Sequence, residues 1–391
     1  MLNTPFPPWP SYTDEEAQAV ARVLLSNKVN YWTGTETRDF ESEFAAWAGV
    51  PHAVALANGT VALDVALKAL GIGAGDEVIV TPRSFMASVS CVVTAGAIPV
   101  FADVDRDTQN LSAATIAPHI TSRTKAIIPV HLAGMPCDMD PIMELAKAHG
   151  LAVIEDCAQA NGARYRGQHV GTIGTIGAWS FCQDKILTTG GEGGMVTTRD
   201  RDLWSRMWSY KDHGKSYDAV YERQHPPGFR WLHESFGMNG RMLELQSVLG
   251  RIQLRRLPAM TATRQRYANQ IWSAARAMPG LRVPCMPSWA EHAAYRCYVF
   301  VEHEALKADW DRDRIMNTMN SEQIPCYSGS CSEIYLEKAF DGTGWRPEAP
   351  LPVAKELGET SLMFLVHPTL EDAHIERTCA TLKDVMRRAV R

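Results

Sequence analysis

Little in this chain points to a membrane or to nucleic acid. No apolar run approaches the roughly 20 residues needed to cross a bilayer. Lys and Arg total 39 against 44 Asp and Glu, a formal net charge of −5. There is thus no basic excess to hold a phosphate backbone or an anionic lipid surface. Residues 1–10 lack the basic and apolar regions of a signal peptide, so a cytoplasmic location is expected. The prolines at 5, 7, 8 and 10 read as an extended arm. The nine cysteines are scattered, odd in number and without a CxxC pair. They read as reduced thiols rather than a disulfide framework, and no clustered ligand set suggests zinc or another metal. There is no internal repeat and no low-complexity tract.

What is present is an α/β pattern. Thr13 and Glu16 are spaced as a capping box opening a helix. After the loop 27–35, an amphipathic helix is expected through Phe40, Phe44 and Trp47. From residue 52, short apolar runs at 52–57, 77–81, 98–104, 125–130, 151–156, 178–181 and 195–198 read as strands. Helical stretches at 61–70, 84–95 and 141–149 alternate with them, which implies a mostly parallel sheet covered on both faces. From 241 to 278 the chain is rich in helix formers, expected to break near Pro258. A smaller C-terminal α/β domain follows, with strands at 295–301 and 361–364 and helices at 312–319 and 370–388. The expected division is residues 1–255, the arm and large domain, and 256–391, the small domain.

Three segments carry chemistry. Asn58-Gly59-Thr60 falls where a strand passes into a helix. A helix N-terminus offers unpaired N–H groups and partial positive charge, glycine lets an anion approach, and Thr60 adds a hydroxyl donor. A plain strand-to-helix turn would read the same way. Val153-Ile154-Glu155-Asp156-Cys157-Ala158-Gln159 ends an apolar strand in a carboxylate, at the sheet end where ligands of parallel sheets bind. Ser180-Phe181-Cys182-Gln183-Asp184-Lys185 precedes Thr188-Thr189-Gly190-Gly191-Glu192-Gly193-Gly194. Most lysines are solvated surface charges. One in a glycine-rich cleft just after a strand, partly desolvated, is expected to have a lowered pKa and to form a Schiff base. One ligand with a phosphate, a protonated ring nitrogen and an aldehyde satisfies all three segments: pyridoxal 5'-phosphate. Asp156 then fits the ring nitrogen, Lys185 the aldehyde, and Gly59, Thr60 and Ser180 the phosphate.

These residues resemble the DegT/DnrJ/EryC1/StrS family of sugar aminotransferases, within the fold-type I pyridoxal-phosphate enzymes. The likeness covers nearly the whole chain. It extends to Val130-His131-Leu132-Ala133-Gly134, Asp138-Met139 and Gly237-Met238-Asn239-Gly240-Arg241-Met242, the last preceding Glu244-Leu245-Gln246. The resemblance implies a large domain with a seven-stranded sheet and a small C-terminal domain. It implies an aromatic stacked on the cofactor ring, Phe85, and Gln159 near the phenolic oxygen. It also implies a homodimer in which Asn239 reaches the phosphate of the neighbouring subunit. The reaction implied moves an amino group from glutamate or glutamine to a keto-sugar, such as a nucleotide-linked keto-deoxysugar, in polysaccharide or amino-sugar biosynthesis. A free keto-sugar acid is an alternative acceptor. Sugar dehydratases of this family carry His where this chain has Lys185, which favours transamination. A non-catalytic binding module would have no need of Lys185, Asp156 and Gly59-Thr60 together. Cys182-Gln183-Asp184 departs from the usual filling before the lysine. Trp32, His213, Tyr327 and His367 are further candidates near the substrate, with ordinary packing as the competing reading. Met238 and Met242 read as core.

Overall fold

The computed structural model describes residues 6–228 and 230–391. The start of the proline-rich arm, residues 1–5 with Pro5, lies outside them. A seven-stranded sheet forms the centre, from β1 (His52–Leu56), β2 (Glu77–Val80), β3 (Ile98–Phe101), β4 (Thr124–Ile128), β5 (Ala152–Asp156), β6 (Ile176–Ser180) and β7 (Gly194–Thr198). Their order is β1-β7-β6-β5-β4-β2-β3. Strands β6, β5, β4, β2 and β3 run parallel, while β7 lies antiparallel between β1 and β6. All of β2, β6 and β7 is buried, as expected of strands covered on both faces.

Local signals explain the flanking helices. Helix Asp14–Leu25 begins with the Thr13–Glu16 capping box. Helix Glu36–Ala48 ends at Gly49 in the left-handed region, where glycine carries no Cβ penalty. It buries Phe40 and Phe44, whose ring centroids each lie 5.6 Å from that of Phe181. This packing fixes the back of the segment that carries Lys185.

The expected break near Pro258 does not occur. Glu244–Arg276 is one continuous 33-residue helix with Pro258 inside it. Proline removes one hydrogen bond to the preceding turn and costs roughly 3 kcal/mol in an isolated helix. Here Leu254, Leu257, Met260 and Thr261 around it are all buried, so tertiary packing outweighs the local cost. A Cβ on Gly250 would meet the Phe40 ring at 2.5 Å, which shows how closely this helix approaches helix Glu36–Ala48.

Beyond this helix a four-stranded antiparallel sheet contains Leu281–Arg282, Cys297–Val301, Ser361–Phe364 and Cys326–Tyr327, in that order. Helices Arg312–Ser321 and Asp372–Ala389 pack with it in one apolar cluster. Four helices, Ala113–Ile116, Arg201–Lys211, Tyr217–Tyr221 and Pro352–Thr360, lay outside the sequence expectation. No helix of the described residues is long and apolar enough to cross a membrane.

Candidate active site

Three strand ends bring the chemistry-bearing segments together. Gly194 of β7 pairs with Leu56 on one side and Ser180 on the other, so the Asn58 turn and the Lys185 segment share a neighbour. A Cβ on Gly194 would fall 2.3 Å from the Asn58 carbonyl oxygen. Asn58 caps helix Gly59–Ala69, its side chain accepting from Val61 N at 3.0 Å. The N–H groups at the start of that helix therefore face the same region as Ser180. Asp156, at the end of β5, is buried. Its Oδ2 accepts from Ser88 Oγ at 2.7 Å and its Oδ1 from Ala158 N at 3.0 Å. Ser88 in turn lies 2.9 Å from Ser84 Oγ.

Asn58, Gly59, Thr60, Ser84, Phe85, Ser88, Asp156, Gln159, Ser180 and Lys185 line one cavity of about 600 Å³. Lys185 is the only cation among its lining residues. An anion there would be met by helix N–H groups and hydroxyls on this chain. Phe85 is 68% exposed, so it is not the core phenylalanine that its place near a helix start would allow; it lines the cavity. Gln159 Oε1 accepts from Ala133 N at 2.8 Å, with Ala133 at φ +57°. A second chamber of about 430 Å³ shares Ser84, Phe85, Gln159, Asp184 and Lys185 and opens toward Tyr295, Arg296 and the 329–334 segment.

Lys185 differs from expectation in one respect. Burial alone would lower its pKa, but Tyr295, Asp184, Asp156 and the Cys182 thiol outweigh it, and the amine is held above its ordinary value. Tyr295 and the nearby carboxylates, rather than the desolvated cleft, decide the direction of the shift.

Asn239 is exposed and does not line the cavity of its own chain. Trp32 packs edge-on against Tyr31 and Trp208 and is not a lining residue. His213, exposed, has φ +60° and lines neither chamber. Tyr327 is half-buried on its strand and lines neither. His367 is buried and stacks on Trp9 at 6.0 Å. Met242 is core, whereas Met238 is half-buried.

Several contributors were invisible in sequence order. Ser88 orients Asp156 across 68 residues, and Tyr295 and Arg296 reach the lysine segment from the C-terminal half. Trp9 donates its indole N–H to the Lys185 carbonyl at 2.9 Å. Arg83, fully buried, holds Gln109 and Ser332, tying the Phe85 loop to the 329–334 segment. Ser84 precedes helix Ala87–Thr94, which carries Ser88, so no helical spacing marked the pair.

His131, Glu155 and Cys157 lie close enough to suggest a metal. However, Glu155 is saturated: it pairs with His131 at 3.0 Å and accepts from the N–H groups of Gly171, Ile173 and Gly174. Burial raises its pKa, but His131 and these donors outweigh that and keep it ionised. Burial also pushes the Cys157 thiol up, away from the thiolate a metal needs. The cluster is a strut under the site.

A helix start with open N–H groups, a fixed buried carboxylate, a lysine and an exposed phenylalanine around one cavity suit pyridoxal phosphate in each of its parts. Together with the mostly parallel sheet, they define a fold-type I pyridoxal-phosphate enzyme. The chain belongs to the DegT/DnrJ/EryC1/StrS aminotransferase family, whose profile matches residues 10–383. It is similar to the crystal structure of an aminotransferase from Psychrobacter cryohalolentis, with 61% identity, TM-score 0.96, and coverage of 98% of this chain and 99% of that one. It is 36% identical to a UDP-N-acetyl-3-dehydro-alpha-D-glucosamine 3-aminotransferase of Acidithiobacillus ferrooxidans, over 95% of this chain and 93% of that protein. It is 38% identical to a GDP-perosamine synthase of Caulobacter vibrioides, over 89% of each. The protein is a pyridoxal-phosphate-dependent sugar aminotransferase.

Proposed function

We propose that the enzyme moves the amino group of glutamate or glutamine to the keto carbon of a nucleotide-linked keto-deoxysugar, with Lys185 as the cofactor-bonding and proton-carrying amine. The observation that carries this reading is the single cavity lined by Lys185, Asp156 and the Asn58–Thr60 turn. The nucleotide handle is supported by relatives named for UDP- and GDP-linked sugars. When bound, pyridoxal phosphate supplies an electron sink for the pair left at a carbon that loses a proton.

The chain's own residues do the rest. Gly59, Thr60 and Ser180 hold the phosphate through N–H and hydroxyl donors. Asp156, kept in place by Ser88 and Ala158, holds the ring nitrogen protonated by opposing charge. Phe85 covers one ring face, and Gln159 borders the phenolic oxygen. Lys185, once displaced by the donor amine, takes the proton from the amine-bearing carbon and returns it. The sugar enters through the chamber bordered by Arg296, and buried Ser84 and Ser88 keep water from the ring-nitrogen end.

The enzyme acts in the cytoplasm as a homodimer, with Asn239 serving the partner's phosphate site. Two features support the dimer: Asn239 is exposed and outside the lining of its own cavity, and Trp231 and Phe236 are 84% and 97% exposed, large apolar side chains left open to solvent. The test is a half-reaction screen. Enzyme is loaded with glutamate and then offered keto-sugars with and without nucleotide. Discharge by nucleotide-linked keto-deoxysugars alone is expected; discharge by a free keto-sugar acid alone would reverse the assignment.

A further inference from the structure

Asp184 sits directly before Lys185, within the segment that departs from the family's usual filling, and the proposed chemistry gives it no task. The tight turn closed by Lys185 N to Cys182 O at 3.0 Å sends both side chains to the same two chambers. One Asp184 oxygen lies 3.8 Å from Lys185 Nζ. The other accepts the Tyr295 hydroxyl proton and stands 3.5 Å from Arg296. Tyr295 is itself fixed. It is buried, its N–H donates to Ala133 O at 2.9 Å, and its carbonyl accepts from the buried Arg264 at 3.3 Å. Arg296 lies 4.5 Å over the Tyr295 ring, and Lys185 Nζ lies 5.1 Å from the same ring's centroid. An ammonium at Lys185 therefore meets a braced carboxylate and an aromatic face together.

We propose that Asp184, braced by Tyr295 and Arg296, is a positioning residue for catalysis that holds the transferred proton on the freed Lys185 amine between its removal from one carbon and its delivery to the next. This rests on the reading of Lys185 as the proton carrier. In the first transfer the donor's Cα–H bond breaks and an N–H bond forms at Nζ. The C–H electron pair passes to the cofactor. The new ammonium stays beside the Asp184 carboxylate until that N–H bond breaks at the second carbon; Asp184 itself takes no proton. Among the described residues, the other charged or titratable groups around Lys185 are Asp156 and Cys182, with Glu192 lining the same cavity beside Cys182 and Arg264 behind Tyr295. Asp184 stays ionised: burial raises its pKa, but Lys185, the Tyr295 hydroxyl and Arg296 lower it further.

Two readouts test this. In cofactor-free protein, the pH dependence of Lys185 amidination by methyl acetimidate, read by peptide mass, reports the amine's own pKa. Asp184→Asn is expected to lower it and to speed labelling at pH 8. In the holoenzyme, the glutamate half-reaction is expected to slow about tenfold in kcat with KM nearly unchanged. Its acid limb should move to lower pH, and Asp184→Glu should restore much of the rate. Tyr295→Phe should shift both readouts the same way to a smaller extent, and it serves alone should Asp184→Asn not fold. Wild-type labelling and kcat in Asp184→Asn, or a lowered melting temperature with neither readout moved, would overturn the proposal. Lys185→Ala separates the two levels. If it keeps the half-reaction, the proton-carrier reading fails; if it is dead while Asp184→Asn behaves as wild type, only the Asp184 role fails.

Discussion

Gly59 and Ser180 approach so closely that a Cβ on the glycine would fall 2.6 Å from the serine's Cβ. The helix start and the end of β6 can lie this close only because position 59 has no side chain. Gly59→Ala should push Ser180 away or tilt the helix start, at a cost of about 1–3 kcal/mol. Cofactor affinity, measured by titrating the cofactor-free protein, should fall at least about tenfold. Unchanged affinity would remove this turn from the phosphate site.

Phe85 is 68% exposed in its own chain. Phe85→Ala should therefore leave the melting temperature of the cofactor-free protein nearly unchanged. It should weaken cofactor binding by about 0.5–1.5 kcal/mol, the size of an aromatic stacking contribution. Paired melts with and without pyridoxal phosphate separate the two effects. A large loss in the cofactor-free protein would mean that the ring serves the fold instead.

Much of the architecture was legible because it rests on local rules. The Thr13–Glu16 spacing made its helix, and strand Ser361–Phe364 formed where its apolar run lay. The Asn58, Asp156 and Lys185 segments met at strand ends as a parallel sheet requires. What was missed depends on partners distant in sequence. Pro258 stays helical because the surrounding core holds it. Lys185 is raised rather than lowered because Tyr295, 110 residues away, and the carboxylates of its own neighbour Asp184 and of Asp156 together outweigh burial. Ser88 and Arg83 are unremarkable letters whose roles exist only once Asp156 and Ser332 are beside them.

Acid should destabilise this protein well before its carboxylates titrate. Burial lowers the pKa of His292 to about 3. Burial together with Arg264, Arg296 and His374 does the same for His367. Burial and Arg164 take His169 to about 4. The unfolded chain binds these protons near the ordinary histidine value of 6.5, so it holds more protons than the folded state between there and about 3–4. Stability is then present above 6.5 and lost as pH falls, each such ring costing up to about 1.4 kcal/mol per pH unit. Denaturant titrations from pH 7.5 to 5.5 should show this slope, and His367→Gln should reduce it. A midpoint independent of pH over that range would contradict the assignment.

The proposed chemistry depends on the amine at position 185. Reducing the holoenzyme with borohydride, digesting it and locating the pyridoxyl mass by peptide sequencing tests that directly. The label is expected on Lys185 and nowhere else, and absent when glutamate has first converted the cofactor to its amine form. A label on another lysine, or none from the untreated holoenzyme, would contradict it.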